Sequence, residues 1–291
     1  MIGAIGKATA TILPQATYQR LRIYSGRLRF WRSIMRDMSG VAIQDKLWLS
    51  LSFLAAPLTA AIRLNEWRDP VLFHDLVLDV ADVGRFALRG RTDDLWHVAP
   101  IRERAILACV RERLNPGDTF VDAGANIGFY SVVAASQVAP SGSVIAIEMM
   151  KQTAELLRRN IELNNASSVS VVENALADRG GEALFASMPS GNFGQASLQS
   201  SQGDEHFEVL TNTLDAVLAD VPYIKLLKMD LEGAELSALK GALKVLDRIE
   251  AIIFEHHELG VFNSIERILA QYGFRVEPLT DRDSLAVRTE R

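Results

Sequence analysis

Asn115-Pro116-Gly117-Asp118-Thr119-Phe120-Val121-Asp122-Ala123-Gly124-Ala125-Asn126-Ile127-Gly128 joins a breaker, an apolar strand and a glycine turn. Asn-Pro-Gly stops the helical pattern of residues 101–114. Thr119–Asp122 reads as a short strand, and a new helix starts near Ile127. A glycine turn between a strand and its helix lets a ligand come close to the backbone and leaves helix amides pointing into the crevice. The same rhythm continues down the chain. Short apolar strands are predicted at Ser143–Glu148, Val169–Glu173, Ile224–Asp230 and Ala251–Glu255, with helices starting near Lys151, Ala234 and Val261. This alternation predicts an α/β fold, a doubly wound and mostly parallel sheet covered on both faces. Ligands of such sheets bind outside the carboxyl ends of the strands.

Upstream, Leu76 to Arg89 alternates around Asp82-Val83-Gly84 and predicts a hairpin. Downstream, residues 179–212 interrupt the alternation. Strand-like Ala183–Ala186 and Phe207–Leu210 flank a loop-rich insertion, Ser187 to Asp204, placed to shape a substrate pocket or act as a lid. Residues 1–70 read as a helical extension or cap ahead of an α/β domain over 71–291. In that extension Tyr18, Leu21, Tyr24, Leu28, Trp31, Met35 and Met38 recur at helical steps, and Ile23, Phe30 and Ile34 form a second apolar row.

The 291 residues are 48% hydrophobic and 23% charged, a composition that excludes a mostly disordered chain. One cysteine, Cys109, excludes an intramolecular disulfide and a multi-cysteine zinc site, and its apolar helical setting predicts a buried structural thiol. The net charge of −5 is unevenly spread. Residues 1–37 carry seven basic groups (Lys7, Arg20, Arg22, Arg27, Arg29, Arg32 and Arg36) against Asp37, so a head of +6 sits on a body of −11. No nucleic-acid partner is expected. Leu47–Ile62 is 16 uncharged residues interrupted by Pro57, too short for a comfortable membrane span. A cap over the pocket or a contact in a homo-oligomer is the expected role of this region. Peripheral contact through residues 1–62 with the inner membrane surface is the alternative for a protein otherwise expected in the cytoplasm.

Glu148 ends the second core strand, 20 residues after Gly128, where an acid can accept hydrogen bonds from ribose hydroxyls. A nicotinamide cofactor would require G-x-G-x-x-G, with glycines at 126 and 129. The chain has Asn126 and Phe129, so pyrophosphate recognition loses support while a nucleoside with a short zwitterionic tail fits. NPGDTFVDAGANIGFYS (115–131), SGSVIAIE (141–148), LRRNIELNN (157–165), ENALAD (173–178), NTLDAVL (212–218) and LLKMDLEGAELSALKGA (226–242) together resemble the FkbM-type methyltransferases, within the class I S-adenosylmethionine-dependent enzymes. The likeness spans about residues 71–280. Met149-Met150 departs from it, since the family usually has proline after the acid. The resemblance implies S-adenosylmethionine as cofactor. Asp122, Gly124, Ala125, Asn126 and Gly128 would surround its methionine portion, Glu148 its ribose, and Asn174 and Ala175 its adenine.

Two further groups carry candidate chemistry. In Lys228-Met229-Asp230-Leu231-Glu232-Gly233-Ala234-Glu235, strand alternation puts Lys228 and Asp230 on one side, with Asp230 at the strand end. Asp230 is the candidate for holding the cofactor's ammonium or orienting the nucleophile, with Lys228 and Glu232 beside it. Glu235 is expected only to complement the following helix dipole. Glu255-His256-His257 ends the next strand, and methyl transfer to an alcohol needs a proton acceptor, most often histidine. His256 is the favoured inward-pointing one. Asp230, Glu255 and these histidines together could assemble a divalent metal site, but no tight ligand spacing compels it, and no metal is expected. The resulting expectation is an O-methyltransferase acting on a hydroxyl of a sugar, glycolipid or natural product. An N-methyltransferase acting on a small molecule or peptide is the runner-up, and a non-catalytic cofactor-binding protein is third.

Overall fold

The computed structural model describes residues 15–62, 70–198 and 205–289. Lys7 of the basic head and residues 199–204 of the insertion lie outside the described residues. The described residues open with helix α1 (Gln15–Asp37), strand β1 (Met38–Gly40) and helix α2 (Ile43–Ile62). The extension is thus not purely helical. β1 pairs antiparallel with β2 (Leu76–Val80), which forms the expected hairpin with β3 (Gly84–Leu88). Pro57 does not divide the second helix, which runs unbroken from Ile43 to Ile62 with Pro57 on its exposed face. Trp31 and Ile34 of α1 and Leu49 and Ala56 of α2 are buried together. Arg27 donates to the Ala60 carbonyl at 3.2 Å, so the two helices run antiparallel.

Helices α3 (Asp94–His97) and α4 (Arg104–Arg113) lead to the core, with Cys109 buried on α4. The main sheet contains β4 (Thr119–Ala123), β5 (Ser143–Ile147) and β6 (Val169–Val172). Helices α5 (Phe129–Val138) and α6 (Lys151–Leu163) are the crossovers between them. The chain then builds a small sheet from β7 (Ala175–Leu176), β8 (Ala183–Met188) and β9 (Glu205–Asn212), in which the strand-like flanks of the insertion pair antiparallel with each other. After helix α7 (Leu214–Val217) it returns to the main sheet with β10 (Ile224–Met229), helix α8 (Glu235–Lys240) and β11 (Ile249–Glu255). Helix α9 (Leu259–Gln271), β12 (Phe274–Pro278) and β13 (Asp283–Arg288) complete it.

The seven strands lie in the order β6-β5-β4-β10-β11-β13-β12. The five strands from β6 to β11 in this order are parallel, and β13 alone runs against its neighbours. β4 and β10 are buried almost throughout, as strands covered on both faces must be. The chain winds outward from β4 in one direction and resumes at β10 in the other. The crevice between their carboxyl ends is the topological switch point. Asn160 of α6 links the hairpin to this crevice: its Oδ1 accepts from the Ala87 amide (2.8 Å), and its Nδ2 donates to the Ile127 carbonyl (2.9 Å).

Candidate functional site

At the switch point the turn after β4 is pressed against the end of β10. Gly124 has φ +81°, and a Cβ there would lie 1.9 Å from the Asp230 carbonyl oxygen. Only glycine permits that approach. The Gly124 and Ala125 amides both donate to the Ile147 carbonyl at 2.9 Å. Glu148 ties the two turns together, its oxygens accepting from the Asn126 amide (2.9 Å) and the Met150 amide (2.8 Å). Burial pushes its carboxyl up to about 7 despite those donors. Each oxygen keeps a further lone pair for a ligand hydroxyl.

Gly124, Ala125, Asn126, Glu148, Asn174, Ala175, Lys228, Asp230 and Glu232 line one open cleft with about 900 Å³ of empty space. Asp122 and Gly128, expected around the methionine portion, are not part of its wall. Asp122 is buried behind it and accepts from the Ser131 hydroxyl at 2.7 Å. A Cβ on Gly128, at φ +93°, would lie 2.4 Å from Cδ1 of Leu157, so this glycine serves the packing of α6 against the turn.

Lys228 and Asp230 fall on one side of β10, as alternation requires, 3.1 Å apart. Burial works against the Lys228 ammonium, but Asp230, Asp122 and Glu103 outweigh it and raise its proton affinity. Burial likewise works against the Asp230 carboxylate, and Lys228 overcomes it, holding Asp230 below the usual carboxylate range. Glu235 accepts from the Leu231 amide at 2.8 Å, the expected structural role at the start of α8.

Glu232 differs from these neighbours. Its backbone is left-handed, at φ +50°, a conformation that non-glycine residues keep only where the surroundings impose it. Burial, reinforced by Asp230 and Glu235, raises its carboxyl to about 8. It also borders a second cavity, partly open to solvent, that shares His97 and Arg102 with the first. Glu255 and His257 line this second cavity, with Nε2 of His257 3.3 Å from Oε2 of Glu255. Ligand atoms of Glu232, Glu255 and His257 approach one another within 4.8 Å.

The favoured histidine is corrected. His256 faces away from both cavities, its ring 4.7 Å from that of Phe262 and its Nε2 3.1 Å from the Ser284 hydroxyl. Alternation explains this: Glu255 and His257 share the site face of the strand end, while His256 shares the face of Phe254. Sequence reading missed a further pair. His97 Nε2 lies 2.9 Å from Asp93, and Arg102 lies 2.8 Å from His97 Nδ1. The i,i+4 spacing of Asp93 and His97 was the available signal. The 190s segment docks on the pair, with the Phe193 and Gly194 amides donating to the two oxygens of Asp93.

The Methyltransferase FkbM domain family matches residues 122–276, more than half of the chain. The chain belongs to the FkbM methyltransferase family. Hexuronic acid methyltransferase AglP of Haloferax volcanii is 24% identical over 200 residues, covering 67% of this chain and 81% of its own. Methyltransferase 1 of Beauveria bassiana is 29% identical over 185 residues, or 55% and 74% of the two chains. Among solved structures, a methyltransferase FkbM from Methylobacillus flagellatus aligns over 66% of this chain and 53% of its own, at 20% identity and a TM-score of 0.40.

As an FkbM methyltransferase the protein takes its methyl group from S-adenosylmethionine, and the donor set of the first cleft fits that molecule. Glu148 offers lone pairs to a ribose diol, and the anionic Asp230 suits an ammonium. The Asn126 amide oxygen is buried without a partner. Ile147, Met149, Ala175 and Leu176 supply the apolar wall that an adenine needs.

Proposed function

We propose that the enzyme transfers the methyl group of S-adenosylmethionine to a hydroxyl of a sugar, glycolipid or natural-product acceptor seated in the second cavity. The observation that carries this reading is Glu232, which borders both cavities with a strained backbone and a carboxyl near 8. Alkylating an alcohol requires the acceptor oxygen to be in line with the methyl group and its proton to be removed. S-adenosylmethionine supplies the electrophilic methyl. Glu232 takes the hydroxyl proton, since a carboxylate of that proton affinity is a much stronger base than an ordinary glutamate and is still populated near neutral pH. Lys228 keeps Asp230 anionic beside it, and the closed network of Asp93, His97 and Arg102 holds the common wall in place.

The second cavity is lined by Trp96, Asn192, Gln195 and Arg282 besides the acids and His257. An aromatic face among polar groups suits a saccharide ring, and two arginines suit a carboxylate on it. The Haloferax relative named for a hexuronic acid favours the same acceptor class. The test is incubation with radiolabelled S-adenosylmethionine and separated saccharide, lipid and protein fractions. Label is expected in saccharide or glycolipid as a base-stable ether. Label confined to protein or to amines would overturn the reading in favour of nitrogen methylation.

A further inference from the structure

A row of large apolar side chains runs the length of the outward face of α2, with Lys46 and Ser50 exposed beside its first two turns. Ile43, Leu47, Leu51, Leu54, Leu58 and Ile62 recur at steps of three and four, each 49 to 78% exposed. Its opposite face, with Leu49, Ser52, Ala56 and Ala60, is already buried against α1 and the body. A 20-residue helix is about 30 Å long. Its charged residues, Asp45 and Lys46, are confined to its first turn. Beside it α1 shows the opposite character: Arg29 and Arg32 are exposed, as are Arg20 and Arg22 nearer its start, while Arg36 is exposed but bound to Asp37 at 2.6 Å. Among the described residues no helix is long and apolar enough to cross a membrane.

We infer that this helix pair docks flat on an anionic phospholipid bilayer. The apolar row would enter the interface between headgroups and acyl chains, and the arginines of α1 would meet lipid phosphates. An apolar ridge alone would serve any apolar partner, but the arginine row beside it selects a negatively charged one. A second copy of the chain fits less well. A stable interface engages about 20–30 residues a side, far more than this row supplies, and a two-fold contact here would crowd like-charged arginines.

The test is co-sedimentation of the full chain with vesicles of phosphatidylcholine alone or mixed equally with phosphatidylglycerol. At low salt the protein is expected to pellet with the mixed vesicles only, and binding should fall on the order of tenfold at high salt. The double variant Leu51→Glu with Leu54→Glu changes exposed positions, so it should melt like the parent and lose binding about tenfold or more. Arg29→Glu with Arg32→Glu should weaken binding to the mixed vesicles by a route independent of the apolar row. The inference is overturned if the parent stays in the supernatant at low salt, or if both double variants bind as it does. It is equally overturned if sedimentation velocity shows a dimer that Leu51→Glu with Leu54→Glu dissociates, for then a second copy covers this face.

Discussion

If Glu232 accepts the hydroxyl proton, methyl transfer must carry its titration. Its ordinary value is 4.5, and burial with repulsion from Asp230 and Glu235 raises it to about 8 in the folded enzyme. At pH 7 only about a tenth of the enzyme then holds the ionised base, at pH 8 about half, and at pH 9 about nine-tenths. Single-turnover transfer should therefore rise roughly tenfold from pH 7 to 9 and level off beyond. Positive charge on the bound donor would draw the midpoint somewhat lower. Glu232→Gln should reduce turnover about 10²–10⁴-fold and remove the rising limb, with little change in affinity for S-adenosylhomocysteine. Stability should move the opposite way. The folded state favours the proton on Glu232, so this contribution is complete below about pH 4.5 and is lost as pH rises through about 8. The melting temperature of Glu232→Gln should accordingly exceed that of the parent at pH 9 and match it at pH 5. A Glu232→Gln enzyme that keeps near-parental turnover, or keeps the limb at the same midpoint, would refute the assignment and move the base to Glu255 or His257.

Three other perturbations test the frame around that residue. Lys228→Met leaves Asp230 and the buried Asp122 without their counter-charge. It should destabilise by about 3–5 kcal/mol, toward the lower end because Asp230 is partly exposed, and adding Asp230→Asn should restore much of the loss in urea unfolding. Gly124→Ala must place a methyl 1.9 Å from the Asp230 carbonyl at a positive φ, so it should cost at least about 1–3 kcal/mol in strain and abolish the calorimetric signal of S-adenosylhomocysteine. An unaltered isotherm would show that the turn is not part of the cofactor site. His256→Ala should lower the melting temperature through lost contact with Phe262 while sparing turnover, and a collapse of turnover in a folded variant would return His256 to the site.

The sequence alone determined the features that depend on neighbours along the chain. The Asn-Pro-Gly stop, the alternation of short apolar strands with helices, and the glycine turn between Asp122 and Gly128 each follow from steric rules acting over a few residues. They sufficed for a doubly wound sheet and for the place of its ligand crevice, with Glu148 and Asp230 at the strand ends beside it, while Asn126 was implied by the family resemblance. The hairpin of β12 and β13 carries only weak local signals, and it exists because β11 offers an edge to pair with. Tertiary structure decided what each side chain faces. Asp122 and Gly128 belong to the same motif as Gly124, yet packing against Ser131 and Leu157 puts them behind the wall. The choice between His256 and His257 depends on the register of β11 against β10 and β13, because a one-residue change of phase exchanges the faces of a strand. Asp93 and His97 are held at the site by contacts far apart in sequence: Leu95 and Val98 of the same short segment are buried in the core, and the 190s segment, about 100 residues later, docks on Asp93. The helical reading of residues 1–70 likewise said nothing of which face of α2 would be covered. The body takes Leu49 and Ala56 and leaves Leu51, Leu54 and Leu58 outside, since burial is fixed by what packs against a helix and not by the helix itself.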